Sequence, residues 1–157
     1  MKTKFYQLNE GWNAEPNAPN PSIEVRGEDL VLKFRVNPFQ FHDFERNEVG
    51  ILRFVRCERY RLGSPDDVGW HRGRCRFSSL APKWGEFYRV EGDAALLEAP
   101  VDWQSLRPPI GTGKHFLFYF RDDTFECVGE RCMIEPTEGN SLHRRGKKLA
   151  NDSDQKF

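Results

Sequence analysis

Residues 51–77, ILRFVRCERYRLGSPDDVGWHRGRCRF, carry seven arginines set among aromatics, and the fold is read outward from this stretch. Two runs of alternating apolar and polar residues flank the polar segment at 64–69, as in two half-buried strands joined by a turn. With the turn centred on Asp66, residues whose numbers sum to 132 face one another. Cys57 then opposes Cys75, Glu58 opposes Arg74, Arg56 opposes Arg76, and Tyr60 opposes Arg72. This register is an assumption, because a loop of this length does not fix pairing as a two-residue turn does. It places Val55, Cys57, Cys75 and Phe77 on a packed face, and Arg56, Glu58, Tyr60, Arg72, Arg74 and Arg76 on a wet one. Arg56 directly across from Arg76 is unfavourable unless a carboxylate or an anion lies nearby, and that tension is the main functional lead.

The flanking sequence repeats the strand signal. Ile23 and Val25, then Leu30, Leu32, Phe34 and Val36, alternate with polar residues around Gly27, which predicts a tight hairpin. Residues 4–8 read as a short edge strand, and the Pro- and Asn-rich segment after them as a loop anchored by Trp12. Phe39, Phe41 and Phe44 are expected to close one end of the core. Residues 84–90 predict a strand from which Glu86 would neutralise the neighbouring arginines. Asp102 is expected to cap a short helical turn. The run Phe116 to Phe120 is apolar on both faces and marks a strand buried on both sides, returning through Phe125 after Asp122 and Asp123. These signals predict an all-β, mainly antiparallel protein, a six- to eight-stranded sandwich or partly closed barrel with at most one or two short helical turns. Residues 1–136 form one β-rich domain in this reading. Residues 137–157 are Gly, Ser, Asn and charge, and read as a disordered tail.

Composition narrows the function. The 24 basic residues match 24 acidic ones, so the general basic excess of a polyanion-binding protein is missing and nucleic acid is an improbable partner. No apolar run approaches membrane-spanning length and no signal-peptide core opens the chain, which implies a soluble, cytoplasmic protein with reduced thiols.

Motifs exclude more than they support. Gly111-Thr112-Gly113-Lys114 lacks the earlier glycine of a phosphate loop, where Pro108 stands, and the hydroxyl residue after lysine, where His115 stands. Cys127, Cys132 and His143 lack the paired short spacing of a zinc site, so no metal and no cofactor are expected. No nucleophile elbow appears and no catalytic residue is assigned; His42, His71 and His115 are explained as loop residues. The positive signal is the set Arg56, Glu58, Tyr60, Trp70, His71, Arg72, Arg74, Arg76 and Glu86, since arginine forks and aromatic rings suit partner surfaces and anions alike. Two functions follow from it. One is a non-enzymatic module that binds another protein as an inhibitor, antidote or assembly factor. The other is a barrel that binds a small anionic ligand, with or without catalysis.

Overall fold

The computed structural model describes residues 3–63, 83, 85–92, 102–109, 111–121 and 123–150. The partner half of the expected central hairpin, with Trp70, His71, Arg72, Arg74, Cys75 and Arg76, lies outside them. The described residues form ten strands: β1 (Lys4–Gln7), β2 (Ser22–Arg26), β3 (Asp29–Arg35), β4 (Val49–Val55), β5 (Arg59–Gly63), β6 (Phe87–Glu91), β7 (Gln104–Ser105), β8 (Lys114–Tyr119), β9 (Thr124–Gly129) and β10 (Arg131–Ile134). One helix, α1, spans Ser141–Arg144. All pairings are antiparallel. One sheet has the order β1-β6-β8-β9-β5-β7 and the other β10-β4-β3-β2. The protein is therefore an all-β sandwich of two open sheets rather than a closed barrel, and it has more strands than the six to eight expected.

Phenylalanines fill the space between the sheets. Phe34 on β3 meets Phe118 on β8 edge-on at 5.1 Å, and Phe54 on β4 lies 5.3 Å from both Phe116 and Phe125. Trp12 stacks on Phe34 at 5.9 Å and is fully buried, so it anchors its loop as predicted. The hairpin β2–β3 closes on Gly27 at φ +60, a conformation open to a residue without Cβ. The aromatic segment after β3 divides: Phe44 is buried and Phe39 is half exposed. Strands β8 and β9 are buried on both faces, the former from His115 onward, as the unbroken apolar run implied.

Residues 51–63 do not form one arm of a hairpin. Arg56 takes φ +49, in the left-handed region that a β-carbon disfavours, and the chain leaves one sheet there and enters the other. Its partner crosses at the same level. Val55 pairs with Arg131 on one side of the crossing and Arg59 with Val128 on the other. Three residues, 56–58, thus oppose two, 129–130, which is a bulge placed at the corner of the sandwich. The bulge is held by Glu130 N–H to Val55 O at 2.9 Å and Glu58 N–H to Val128 O at 2.8 Å. Tyr60 lies between Cys127 and Gln104, so both sides of its strand are paired, and Cys57 lies in the turn of the corner; the expected partners Arg72 to Arg76 lie outside the described residues. Residues 104–105, read as part of a helical turn, are the edge strand β7 because their backbone pairs with β5.

Residues 137–150 depart from the composition-based reading as a mobile tail. Asn140 is fully buried, and its side-chain amide donates to the carbonyls of Ile51 and Glu135, both at 2.8 Å, and accepts from the N–H of Ile51 at 2.9 Å. It also caps α1 by accepting from Leu142 N–H at 3.2 Å. Leu142 then packs where β4 has Gly50; a β-carbon there would approach Phe34, Leu142 and Val36 within 3.1 Å. Outside this dock, Lys147 pairs with Asp43 at 2.8 Å, and Arg144 and Arg145 pair with Glu48 at 2.7 and 3.0 Å.

Two outcomes follow for this segment. Asn140→Ala orphans buried backbone groups of β4, so we expect a loss of about 3 kcal/mol in urea unfolding; a loss below about 1 kcal/mol would mean the amide is dispensable. The Lys147 partner holds Asp43 below its ordinary 3.8. Burial would raise Glu48, but Arg145, the Glu45 N–H and Arg144 outweigh it and hold it below 4.5. Depressed carboxylates stabilise the fold above their unfolded values and lose that effect as pH falls through the folded ones. Amide exchange of residues 142–147, corrected for its intrinsic pH dependence, should therefore lose protection below about pH 4, ahead of β8 and β9.

Candidate functional site

Since Phe116 and Phe118 face the core, the strand pleat turns His115 and Leu117 to the other face of the six-stranded sheet. Register places His115 in a row with Val90, Val128 and Arg59, across four strands. The next row holds Tyr88, Leu117, Glu126 and Arg61. A charged network ties the two rows together. Glu126 has no exposed surface; its carboxylate accepts from Arg61 Nη1 at 2.9 Å and lies 2.7 Å from His115 Nε2. Arg61 turns its remaining edge to Asp102, with Nε and Nη2 at 2.9 and 3.1 Å from the two carboxylate oxygens. Burial alone would lower the Arg61 pKa, but the Asp102 and Glu126 carboxylates reverse this and raise it; Asp102, bonded to Arg61, is held below its ordinary range.

Beside this network, at the sheet end where β6 finishes and β8 begins, lies a cleft of about 440 Å³. Arg59, Arg89, Lys114 and His115 line it together with Glu58 and Glu91, and Val90, Val128 and Pro109 add apolar wall. The cations are held in place. The Arg59 guanidinium lies 4.6 Å from the centre of the Trp103 ring, and that of Arg89 lies 4.5 Å from the ring of Tyr6 while pairing with Glu91. Gly113 lets the loop come close: a β-carbon there would sit 2.6 Å from Val128 Cγ1 and 3.0 Å from Glu58 Oε1. Burial pushes the Tyr88 hydroxyl up to about 12, and it accepts from the Lys83 N–H and donates to the Lys83 carbonyl. Among the described residues no group of three or more His, Cys, Asp and Glu side chains could hold a metal ion.

The candidates named from sequence are dispersed. Arg56 is at the corner, 3.7 Å from Glu28 and 3.8 Å from Glu130. Glu58 is buried beside it and lines the cleft, and Tyr60 packs against the core. Glu86 does not reach Arg56, Arg59 or Arg61, because β8 and β9 separate β6 from β5; it accepts from Gln7 and Asn9 instead, and Arg72, Arg74 and Arg76 lie outside the described residues. Sequence reasoning missed Arg59, Arg61, Arg89, Asp102, Lys114 and Glu126, and read His115 as a loop residue although it is buried on β8. One signal was present: Glu126 stands inside an apolar strand run, where an ionised side chain requires a partner.

Fold and site together define an antiparallel β-sandwich with a cation-lined cleft at one sheet end. Compared with models of known protein families, with curated proteins and with solved structures, the chain matches none.

Arg61→Met would leave Glu126 buried beside His115 without its guanidinium. We expect about 3–5 kcal/mol of lost stability in urea unfolding, as for a buried pair with one partner removed. A cost under about 1 kcal/mol, the range of exposed pairs, would remove the network from the account of this face.

Proposed function

We propose that the protein binds a small monoanionic organic ligand, a carboxylate with an apolar body, in this cleft. The supporting observation is the convergence of Arg59, Arg89 and Lys114, with His115, on one cavity of about 440 Å³, a volume typical of small-molecule sites. Among the described residues, three cations line the cleft with the two carboxylates of Glu58 and Glu91, a balance that favours a single negative charge over a polyphosphate. Val90, Val128 and Pro109 offer surface to an apolar body. Rings stacked on Arg59 and Arg89 restrict both guanidiniums before any ligand arrives, which lowers the entropy cost of binding. The reading as a protein-binding module joins Arg56, Glu58 and Tyr60 to Trp70, His71, Arg72, Arg74 and Arg76; the corner separates the first three, and the others lie outside the described residues.

Calorimetric titration with acetate, isobutyrate, benzoate and citrate tests the proposal. Isobutyrate or benzoate should saturate one site more tightly than acetate or citrate. Lys114→Met should weaken that binding about ten- to a hundredfold, the equivalent of a charge-assisted hydrogen bond of about 1.5–3 kcal/mol. Absence of saturable binding, or affinity unchanged in both Lys114→Met and Arg59→Gln, would overturn it.

A further inference from the structure

A second pocket, of about 260 Å³, lies where β3 ends and the loop to β4 begins. Arg35, Phe39 and Arg46 line it, together with Glu15 and Asn17 from the loop before β2. The loop after β3 holds an aromatic ring out in water. Asn37 is buried, and its Oδ1 accepts from the N–H groups of Phe39 at 3.0 Å and Gln40 at 3.3 Å, a side-chain turn that fixes the backbone around Phe39. Phe39 is 51% exposed, whereas Phe44 in the same loop is buried. The Arg46 guanidinium sits over the Phe39 ring, 5.9 Å from its centre. Arginines elsewhere rest on carboxylates, as Arg53 does on Asp29 and Glu135, and Arg61 on Asp102 and Glu126. Among the described residues neither Arg35 nor Arg46 has a carboxylate within ion-pair reach. Nor has Arg121, whose Nη1 donates to the Asn17 carbonyl at 3.0 Å, beside the pocket. The acids nearby are engaged. The two Glu15 oxygens accept from the N–H groups of Asn17 and Ala18 at 2.7 and 2.8 Å, and Glu48 is turned to Arg144 and Arg145.

We infer that this pocket binds a phosphate monoester carried on a single flat aromatic ring. Three guanidiniums, those of Arg35, Arg46 and Arg121, stand against the one carboxylate of Glu15, a surplus of two positive charges. A phosphate monoester at neutral pH carries about −1.5 to −2, which matches that surplus, and a lone carboxylate does not. Its three terminal oxygens suit several donors at once, and the planar guanidinium fork meets such oxygens two at a time. Phe39 supplies the other half of the recognition. A ligand ring laid against it takes apolar surface of both partners out of water and gains the attraction of an aromatic pair. The Asn37 turn holds Phe39 in place beforehand, so little ordering remains to be done on binding. The volume has room for a phosphoryl group with one ring and not for a longer chain. This pocket shares no lining residue with the cleft beside His115 and stands independently of the carboxylate proposal.

The test is a titration of the full chain, followed by amide NMR, with phenyl phosphate, N-acetyl-phosphotyrosine amide, glycerol 3-phosphate, inorganic phosphate and benzoate. Phenyl phosphate should saturate at millimolar concentration or below, about fivefold more tightly than glycerol 3-phosphate or inorganic phosphate, the margin of one aromatic contact. It should shift the backbone signals of 39–40 and 46–47 and leave 113–115 unmoved. Capped phosphotyrosine binding as tightly as phenyl phosphate would identify the source as a modified tyrosine on a protein, and weaker binding a free aryl phosphate; both outcomes support the site. Arg46→Gln should weaken phenyl phosphate about tenfold, the loss of a charge-assisted contact. Phe39→Ala should bring phenyl phosphate down to the affinity of glycerol 3-phosphate and leave the latter unchanged, a selective loss that a damaged fold would not produce. Both side chains are exposed, and an unaltered amide spectrum away from the pocket checks that each variant is folded. Absence of saturable binding by phenyl phosphate would overturn the inference. So would equal affinity for glycerol 3-phosphate, tighter binding of benzoate at the same signals, or unchanged affinity in the two variants.

Discussion

Between Val55 and Arg59 the chain passes from one sheet to the other while hydrogen-bonded to 128–131, which makes the same passage. Most of the molecule depends on that shared corner. Two strands that cross together share the Glu58–Val128 and Glu130–Val55 backbone bonds through the bend, while the N–H groups of Arg56 and Cys57 donate to Asp29 and to the Glu28 carbonyl. The extra residue on one strand is accommodated by the left-handed Arg56, and a β-carbon on Gly129 opposite it would meet Val55 O at 3.3 Å and Cys57 Cα at 3.5 Å. Arg107 secures the outside, donating to the carbonyls of Cys57 and Glu28. Inside the corner Cys57, Cys127 and Cys132 are buried, and Cys57 Sγ donates to the Arg59 carbonyl. Burial and the adjacent Cys57 push the Cys127 thiol well above its usual range, which favours a packing role over reactivity.

The corner also sets where charge can be placed. By carrying β5 into the six-stranded sheet, it brings Arg59 and Arg61 alongside β9, and so beside Glu126 and His115. A carboxylate with no exposed surface is costly to bury, and a guanidinium with its own second carboxylate is the arrangement that offsets the cost. The same placement holds Arg59 against Trp103 at the edge of the cleft. The buried network and the cleft on this face thus meet at His115.

The two ends of the six-stranded sheet differ in kind. Around the β6 terminus and the loop before β8 the side chains are cationic with apolar spacers, and a glycine keeps the loop close. Around the start of β6 the surface is built from amides supplied by the loops at 9–21 and 37–41. Loops at the ends of a rigid sandwich are the usual place for binding residues, because the sheets fix them at little further entropy cost.

Alternation, turn glycines and the doubly apolar run at 116–120 were enough to read an antiparallel β-protein, the β2–β3 and β8–β9 hairpins and the anchoring Trp12, because these signals are local to a strand or a turn. The polar composition after Thr137 misled for the opposite reason. Asn140, Leu142 and Leu149 are few, but each meets a prepared partner that lies far away in sequence: the Ile51 backbone, the space above Gly50, and the bridge to Asn9. The arginine-rich stretch shows the limit most clearly. Its residue types announced a polar site, and period-two alternation implied a single wet face. One residue with positive φ breaks that period, sends Arg53 and Arg61 to opposite sheets, and gives each a different pair of carboxylates. The sequence by itself determined that arginines would need acids. Which acids, and on which face, was decided by strand order, a long-range property that no local pattern contains.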